Sequence, residues 1–167
     1  MELLTDTVKS PIGAVLLAAA DGRLIALEFE QVRDRFDADL RARFGDCTLK
    51  PARNPFGLSE RIRAYFRGEL AALDDIPVDG GGTAFQRKVW KALRDIPAGT
   101  TRTYSELAEA VGRPAAVRAV GMINGRNPIS IAVPCHRVIG KDGSLTGYGG
   151  GLDRKRWLLV HEGARLA

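Results

Sequence analysis

The chain has 167 residues, 45% of them hydrophobic, and a formal net charge of +5 at pH 7. That length suits one large domain or two small ones, and that apolar fraction is enough for a packed core, which excludes wholesale disorder. No apolar run approaches the roughly 20 residues that span a bilayer, and Leu3 and Leu4 sit beside Glu2 and Asp6 without a basic leader, so the expectation is a cytoplasmic protein with no membrane partner.

In chain order, the first half reads as a small α/β unit. Ile12 to Ala20 and Leu24 to Phe29 are apolar, and Asp21-Gly22 between them is a hairpin turn. From Gln31 to Phe44, Val32, Phe36, Leu40 and Phe44 recur at steps of four, which predicts an amphipathic helix. Leu58, Ile62, Tyr65 and Phe66 predict a second helix, preceded by Pro55 and ended near Gly68. Asp74 to Gly82 holds three aspartates, a proline and three consecutive glycines, and reads as a linker. The expected division is therefore 1–75, a linker at 76–82, and 83–167. Cys47 lies in a polar loop with no basic neighbour arranged to activate it. Two cysteines make no disulfide framework, and no Cys-x-x-Cys or His-x-x-x-His spacing suggests a metal.

The second half differs in charge. Residues 1–79 carry 11 Lys+Arg against 14 Asp+Glu, a net of −3, whereas residues 80–167 carry 14 against 6, a net of +8. A basic half of this size can meet a polyanion, although a solvated surface could carry the same charge. Phe85, Val89, Leu93 and Ile96 predict a helix closed by Pro97 and Gly99, with Trp90 in the core. Thr103-Tyr104-Ser105-Glu106 fits a capping box, and Leu107, Ala108 and Val111 carry that helix to Gly112. A next helix is expected from Pro114 to about Ile123, bearing Arg118. Helix, short glycine-containing turn, helix is the helix-turn-helix pattern, which serves DNA binding or plain scaffold. After the turn at Asn127-Pro128, Ile129, Ile131 and Val133 alternate with Ser130 and Ala132, which predicts a strand feeding Cys135. Lys141-Asp142-Gly143 is a turn and Gly147 to Gly151 a flexible loop. A last helix is expected from Asp153, as its cap, to His161, with Gly163 as its stop.

Val133-Pro134-Cys135-His136-Arg137-Val138 concentrates the chemistry, using one of two cysteines and one of two histidines. A thiol attacks as thiolate, which an adjacent base or cation favours. Neighbours in a strand face opposite ways, so His136 reaches Cys135 only if the backbone turns there or a water intervenes, and Pro134 permits such a turn. Glu162 is the acidic residue expected to orient the imidazole. A buried, inert cysteine is the alternative.

Pro134-Cys135-His136-Arg137, with Asn127-Pro128 upstream and Tyr148-Gly149-Gly150-Gly151 downstream, closely resembles the methylated-DNA–protein-cysteine methyltransferases, or O6-alkylguanine-DNA alkyltransferases. The likeness is strong over residues 83–163 and in outline before residue 75. It is nearer the small bacterial members than the vertebrate ones, whose amino-terminal zinc ligands have no counterpart here.

The resemblance implies an α/β (α+β) fold: a small amino-terminal sheet-plus-helix domain, ribonuclease-H-like in the family, then a mostly helical domain with a helix-turn-helix. It implies irreversible, one-shot transfer of an alkyl group from O6-alkylguanine, and from O4-alkylthymine, in double-stranded DNA to Cys135, by a monomer without cofactor or metal. His136 would take the thiol proton through a water, with Glu162 on its other nitrogen. Tyr104 would hydrogen-bond guanine N3 and help protonate the leaving base. Arg118 would fill the stack where the nucleotide is flipped out, a step that in-line attack on a duplex base requires. Asn127 would brace the turn before the site, the Val138 carbonyl would read the exocyclic amine, and Tyr148 with the Gly149-Gly150 backbone would wall the pocket. Met122 and Ile123 depart from the family's small residues after the glycine matching Gly121. A DNA-binding damage sensor without turnover and a cysteine hydrolase using Cys135, His136 and Glu162 are the competing readings.

Overall fold

The chain divides into two units, residues 1–81 and 82–167, in a computed structural model that describes residues 1–166. In the first unit, β2 (Val15–Ala20) and β3 (Arg23–Phe29) form the expected hairpin. Asp21 and Gly22 both adopt positive φ (52° and 76°), the backbone that a two-residue hairpin turn matching strand twist requires. The sheet continues through β1 (Glu2–Val8), antiparallel to β2, to β4 (Thr48–Pro51), parallel to β1, giving the order β3-β2-β1-β4.

Neither β1 nor β4 was expected from the sequence. β1 mixes Glu2, Thr5, Asp6 and Thr7 with few apolar residues, and β4 is exposed throughout and ends in Pro51. Both owe their conformation to pairing across long sequence separation, which local pattern does not encode. β2 is buried at all six positions, so the sheet is covered on both faces. On one face, Phe36 and Leu40 of α1 (Arg33–Phe44) pack with Leu3, Leu16, Ala18 and Ala20. α2 (Leu58–Phe66) buries Leu58, Ile62 and Tyr65. Residues 76–79, linker-like in composition, are pinned: Ile76 is buried, Val78 bridges Leu24, and Leu24 N–H donates to the Pro77 carbonyl at 2.9 Å.

The second unit begins with α3 (Ala84–Arg94), whose start is fixed by a reciprocal Thr83–Gln86 capping box. A two-residue strand, β5 (Arg102–Thr103), leads into α4 (Tyr104–Ala110). The Thr103–Glu106 capping box is present as expected, and Gly112 (φ 75°) takes the left-handed position after the helix. α5 (Val117–Gly125) starts three residues later than the sequence suggests: Pro114 lies in the interhelical turn. β6 (Val138–Ile139) pairs parallel with β5, and α6 (Leu152–His161) closes the unit. Gly151, not Asp153, stands at the cap of α6, and Gly163 (φ 82°) ends it. Among the described residues, no helix is long and apolar enough to cross a membrane.

Thr103 both caps α4 and belongs to β5. Thr103→Ala should cost about 1 kcal/mol of stability, read as a lower urea midpoint with unchanged slope; an unshifted midpoint would show that the cap contributes nothing.

Candidate active site

The approach to Cys135 is a knot of turns, not the expected strand. Ile129 through Val133 are all buried, so the apolar alternation marks no single face, and Ile131 sits at φ 71°. Asn127 holds the knot. Its side-chain amide donates to the carbonyls of Val133 (2.7 Å) and Ile129 (3.3 Å), and its oxygen accepts from Ile129 N–H at 3.0 Å. Burying so many backbone groups outside regular structure requires such internal partners. The chain then passes Pro134 into one 3-10 turn, Cys135–Arg137. At about three residues per turn, Cys135 and His136 are no longer opposed as they would be in a strand.

That turn is buried: Cys135 is 7% exposed, His136 0% and Arg137 5%. The Glu162 carboxylate, just past α6, meets both followers of Cys135. His136 Nε2 lies 2.8 Å from Glu162 Oε2, while Arg137 Nε donates to Oε1 (2.8 Å) and its terminal nitrogen to Oε2 (2.9 Å). The other Arg137 nitrogen donates to the Ile96 carbonyl at 2.6 Å, tying the group to the end of α3. Burial pushes the Glu162 carboxyl up, but the hydrogen bonds from Arg137 and His136 outweigh it and hold it well below the usual carboxylate range. Burial lowers the His136 pKa, and the Glu162 hydrogen bond opposes that only in part. The imidazole is therefore neutral, with Nε2–H donating to Glu162. Its Nδ1 is left as a buried acceptor without a hydrogen-bond partner.

A second set of contacts surrounds the turn. The Lys155 ammonium is buried and donates to the carbonyls of Val138 (2.6 Å) and Thr146 (2.7 Å). Burial lowers its pKa to about 8, against the opposing pull of Cys135 when ionised. Lys155 and Arg137 against the single Glu162 leave a local excess of positive charge, which favours a thiolate. Thr146 Oγ1 donates to the Tyr104 hydroxyl at 3.1 Å. Tyr104 opens α4 directly after β5, and β5 pairs with β6, which directly follows the Cys135 turn, so two residue pairs fix both on one short ladder. A Cβ on Gly121 of α5 would lie 3.5 Å from the Tyr104 ring, so α5 packs on the same side chain. Tyr148 stands edge-on to His136, ring centroids 6.5 Å apart, and the Gly150 carbonyl accepts from Arg154 at 3.0 Å.

The structure thus gathers Cys135, His136, Glu162, Tyr104, Val138 and Tyr148, and supports them with Asn127. Arg118 stays apart, exposed on α5, and Gly149 is exposed in the loop before α6. Met122 is 53% exposed on the same helix, one turn beyond Arg118, whereas Ile123 is half-buried and its carbonyl accepts from Trp90 Nε1 at 3.0 Å. Sequence reasoning missed the structural parts of Arg137, Lys155 and Thr146. Nothing local marks Lys155, which α6 buries beside Leu158 and Leu159.

Comparison with known proteins covers the whole chain. Residues 3–80 match the family model described as 6-O-methylguanine DNA methyltransferase, ribonuclease-like domain, and residues 84–164 the model described as 6-O-methylguanine DNA methyltransferase, DNA binding domain. A methylated-DNA–protein-cysteine methyltransferase of Salmonella typhimurium is 49% identical over 169 aligned positions, 99% of each chain. One from Mycolicibacterium paratuberculosis is 50% identical over 164, covering 93% of this chain and 90% of its own. A crystal structure of Mycobacterium tuberculosis OGT in complex with DNA is similar at a TM-score of 0.80 and 44% identity, over 98% of this chain and 93% of its own.

Glu162→Gln should destabilise the fold by about 3–5 kcal/mol at neutral pH, because Arg137 stays buried without its counter-charge. The folded carboxyl titrates below its unfolded value of about 4.3, so its contribution is full above that pH and is lost as pH falls through the folded value. The gap between parent and variant urea midpoints should narrow steadily as pH falls below about 4.3; a constant gap would place the loss elsewhere.

Proposed function

The chain belongs to the 6-O-methylguanine DNA methyltransferase family, and on that premise we propose that it repairs alkylated DNA directly, moving the alkyl group of O6-alkylguanine onto Cys135. The observation that carries this reading is the polarity of the buried relay: Glu162 occupies Nε2 of His136, the residue after Cys135, and leaves Nδ1 as a buried acceptor.

The reaction balances within the protein and its substrate. His136 takes the Cys135 proton through a water, the sulfur attacks the alkyl carbon in line, and the carbon–oxygen bond breaks with its electrons moving into the purine. Tyr104, held at the start of α4, gives a proton at guanine N3 and makes the base a better leaving group. The positive excess from Lys155 and Arg137 favours the thiolate that attacks. The thioether has no route back to the thiol, so each molecule reacts once.

DNA duplex is the partner, met by α4 and α5 of the basic unit in a cytoplasmic monomer. Arg118 enters the stack in place of the flipped nucleotide, and Met122, exposed one turn further on, supplies an apolar contact to the groove. The Val138 carbonyl, already accepting from Lys155, keeps a second lone pair for the exocyclic amine. Tyr148, Gly149 and Gly150 wall the base.

Intact mass after incubation with an oligonucleotide carrying O6-methylguanine tests the transfer. The Cys135 peptide should gain one methylene, at most once per molecule, and Cys135→Ser should gain none. Binding without mass gain would indicate a sensor, and repeated turnover of an ester a hydrolase. Met122→Ala should weaken duplex binding by about fivefold, the loss of roughly 1 kcal/mol of apolar contact, and leave transfer from free O6-alkylguanine base unchanged. Unaltered duplex affinity would remove Met122 from the DNA contact.

A further inference from the structure

Residues 1–81 contain a cavity of about 540 Å3 that the alkyl-transfer chemistry does not use. Three arginines from separate elements line it: Arg33 opens α1, Arg53 follows β4 and Arg63 belongs to α2. Their convergence runs against the local charge, since this part of the chain has 11 Lys+Arg and 14 Asp+Glu. Their pairing with carboxylates is uneven, and Arg63 also faces the Asp6 carboxylate, whose pKa it helps to lower. Arg53 makes no hydrogen bond or ion pair among the described residues. Arg33 lies 3.6 Å from Glu30 and Arg63 3.7 Å from Glu60, both beyond good hydrogen-bond distance, and Glu60 has its short bond, 2.8 Å, with Arg67.

The carboxylate in the cavity, Asp6, is already engaged: it accepts from Thr7 N–H (2.8 Å), Asn54 N–H (3.0 Å) and Ser59 Oγ (2.6 Å). The floor is apolar, with Leu16, Phe36 and Leu49. Directly after Arg53, Asn54 (φ 49°) and Phe56 (φ 54°) hold left-handed backbone that non-glycine residues adopt at a cost. Clustered like charge and local strain both weaken the fold, and an anionic ligand offsets the first.

We propose that this cavity binds a nucleoside monophosphate, the base on the apolar floor and the phosphate on the three guanidinium groups. Guanidinium forks match phosphate oxygens in pairs, and the volume falls in the range of small-molecule sites. The site is independent of Cys135, so its occupancy and the transfer reaction can be measured apart.

The test is an amide-resolved NMR titration of the full chain with guanosine 5′-monophosphate, guanosine and inorganic phosphate in parallel. The nucleotide should give saturable shifts at Thr5, Thr7 and Arg53, at lower concentration than guanosine or phosphate alone. Arg53→Glu with Arg63→Glu should weaken it by about tenfold or more, as expected for losing charge-assisted contacts, with the rate of alkyl transfer to Cys135 unchanged. Should that pair fail to fold, Arg53→Lys with Arg63→Lys keeps the charge, loses the fork and should weaken binding less steeply. Absence of saturable shifts, shifts confined to residues 82–167, or affinity indifferent to both pairs would overturn the assignment.

Discussion

The Glu162 carboxylate is the constraint on which the reactive turn depends. It is buried, and an unpaired anion there would be costly, so it commits the two residues after Cys135 to itself: His136 through one nitrogen and Arg137 through a fork. One contact thereby sets three things. It selects the imidazole tautomer, anchors the end of α6 against the 3-10 turn, and leaves Lys155 as the cation without a carboxylate. All three would be lost together.

Backbone geometry supplies the other half of the site. The Asn127 side chain and the Val133 N–H bond to the Ile129 carbonyl close the buried knot that turns the chain into Cys135, and the two-residue ladder of β5 and β6 sets the start of α4 beside that turn. The capping box that starts α4 is thus also what aims Tyr104. These are short, local devices with a non-local outcome: the start of α4 and the Cys135 turn, about 30 positions apart in the chain, are set beside one another. The hydroxyl of Tyr104 is further held by Thr146, whose carbonyl also receives Lys155, so the loop before α6 joins the same polar network.

The two units use charge differently. In residues 82–167 exposed Arg118 on α5 and Arg126 just past its end flank Met122, which suits a groove with phosphate walls. In residues 1–81 three arginines line an open cleft whose floor includes Leu16, Phe36 and Leu49. The first arrangement suits a polymer, and the second suits the small anion proposed above.

By itself the sequence determined the elements whose signals are local. The Asp21-Gly22 turn, the stripes of α1 and α2, the Thr103–Glu106 cap and the glycine after α4 each arise from interactions within a few residues. It also holds, in Pro134-Cys135-His136-Arg137 with Glu162 and Tyr104, the residue types that the proposed transfer uses. The tertiary structure decided what depends on distant pairing. β1 and β4 have weak patterns and exist through each other and β2. Ile129–Val133 alternates in sequence yet is buried on every side, so its periodicity misled. Lys155 looks like an ordinary surface lysine until α6 packs it under Val138 and Thr146. Local propensity is written in neighbouring residues, whereas burial and pairing depend on which distant segments come to lie against them.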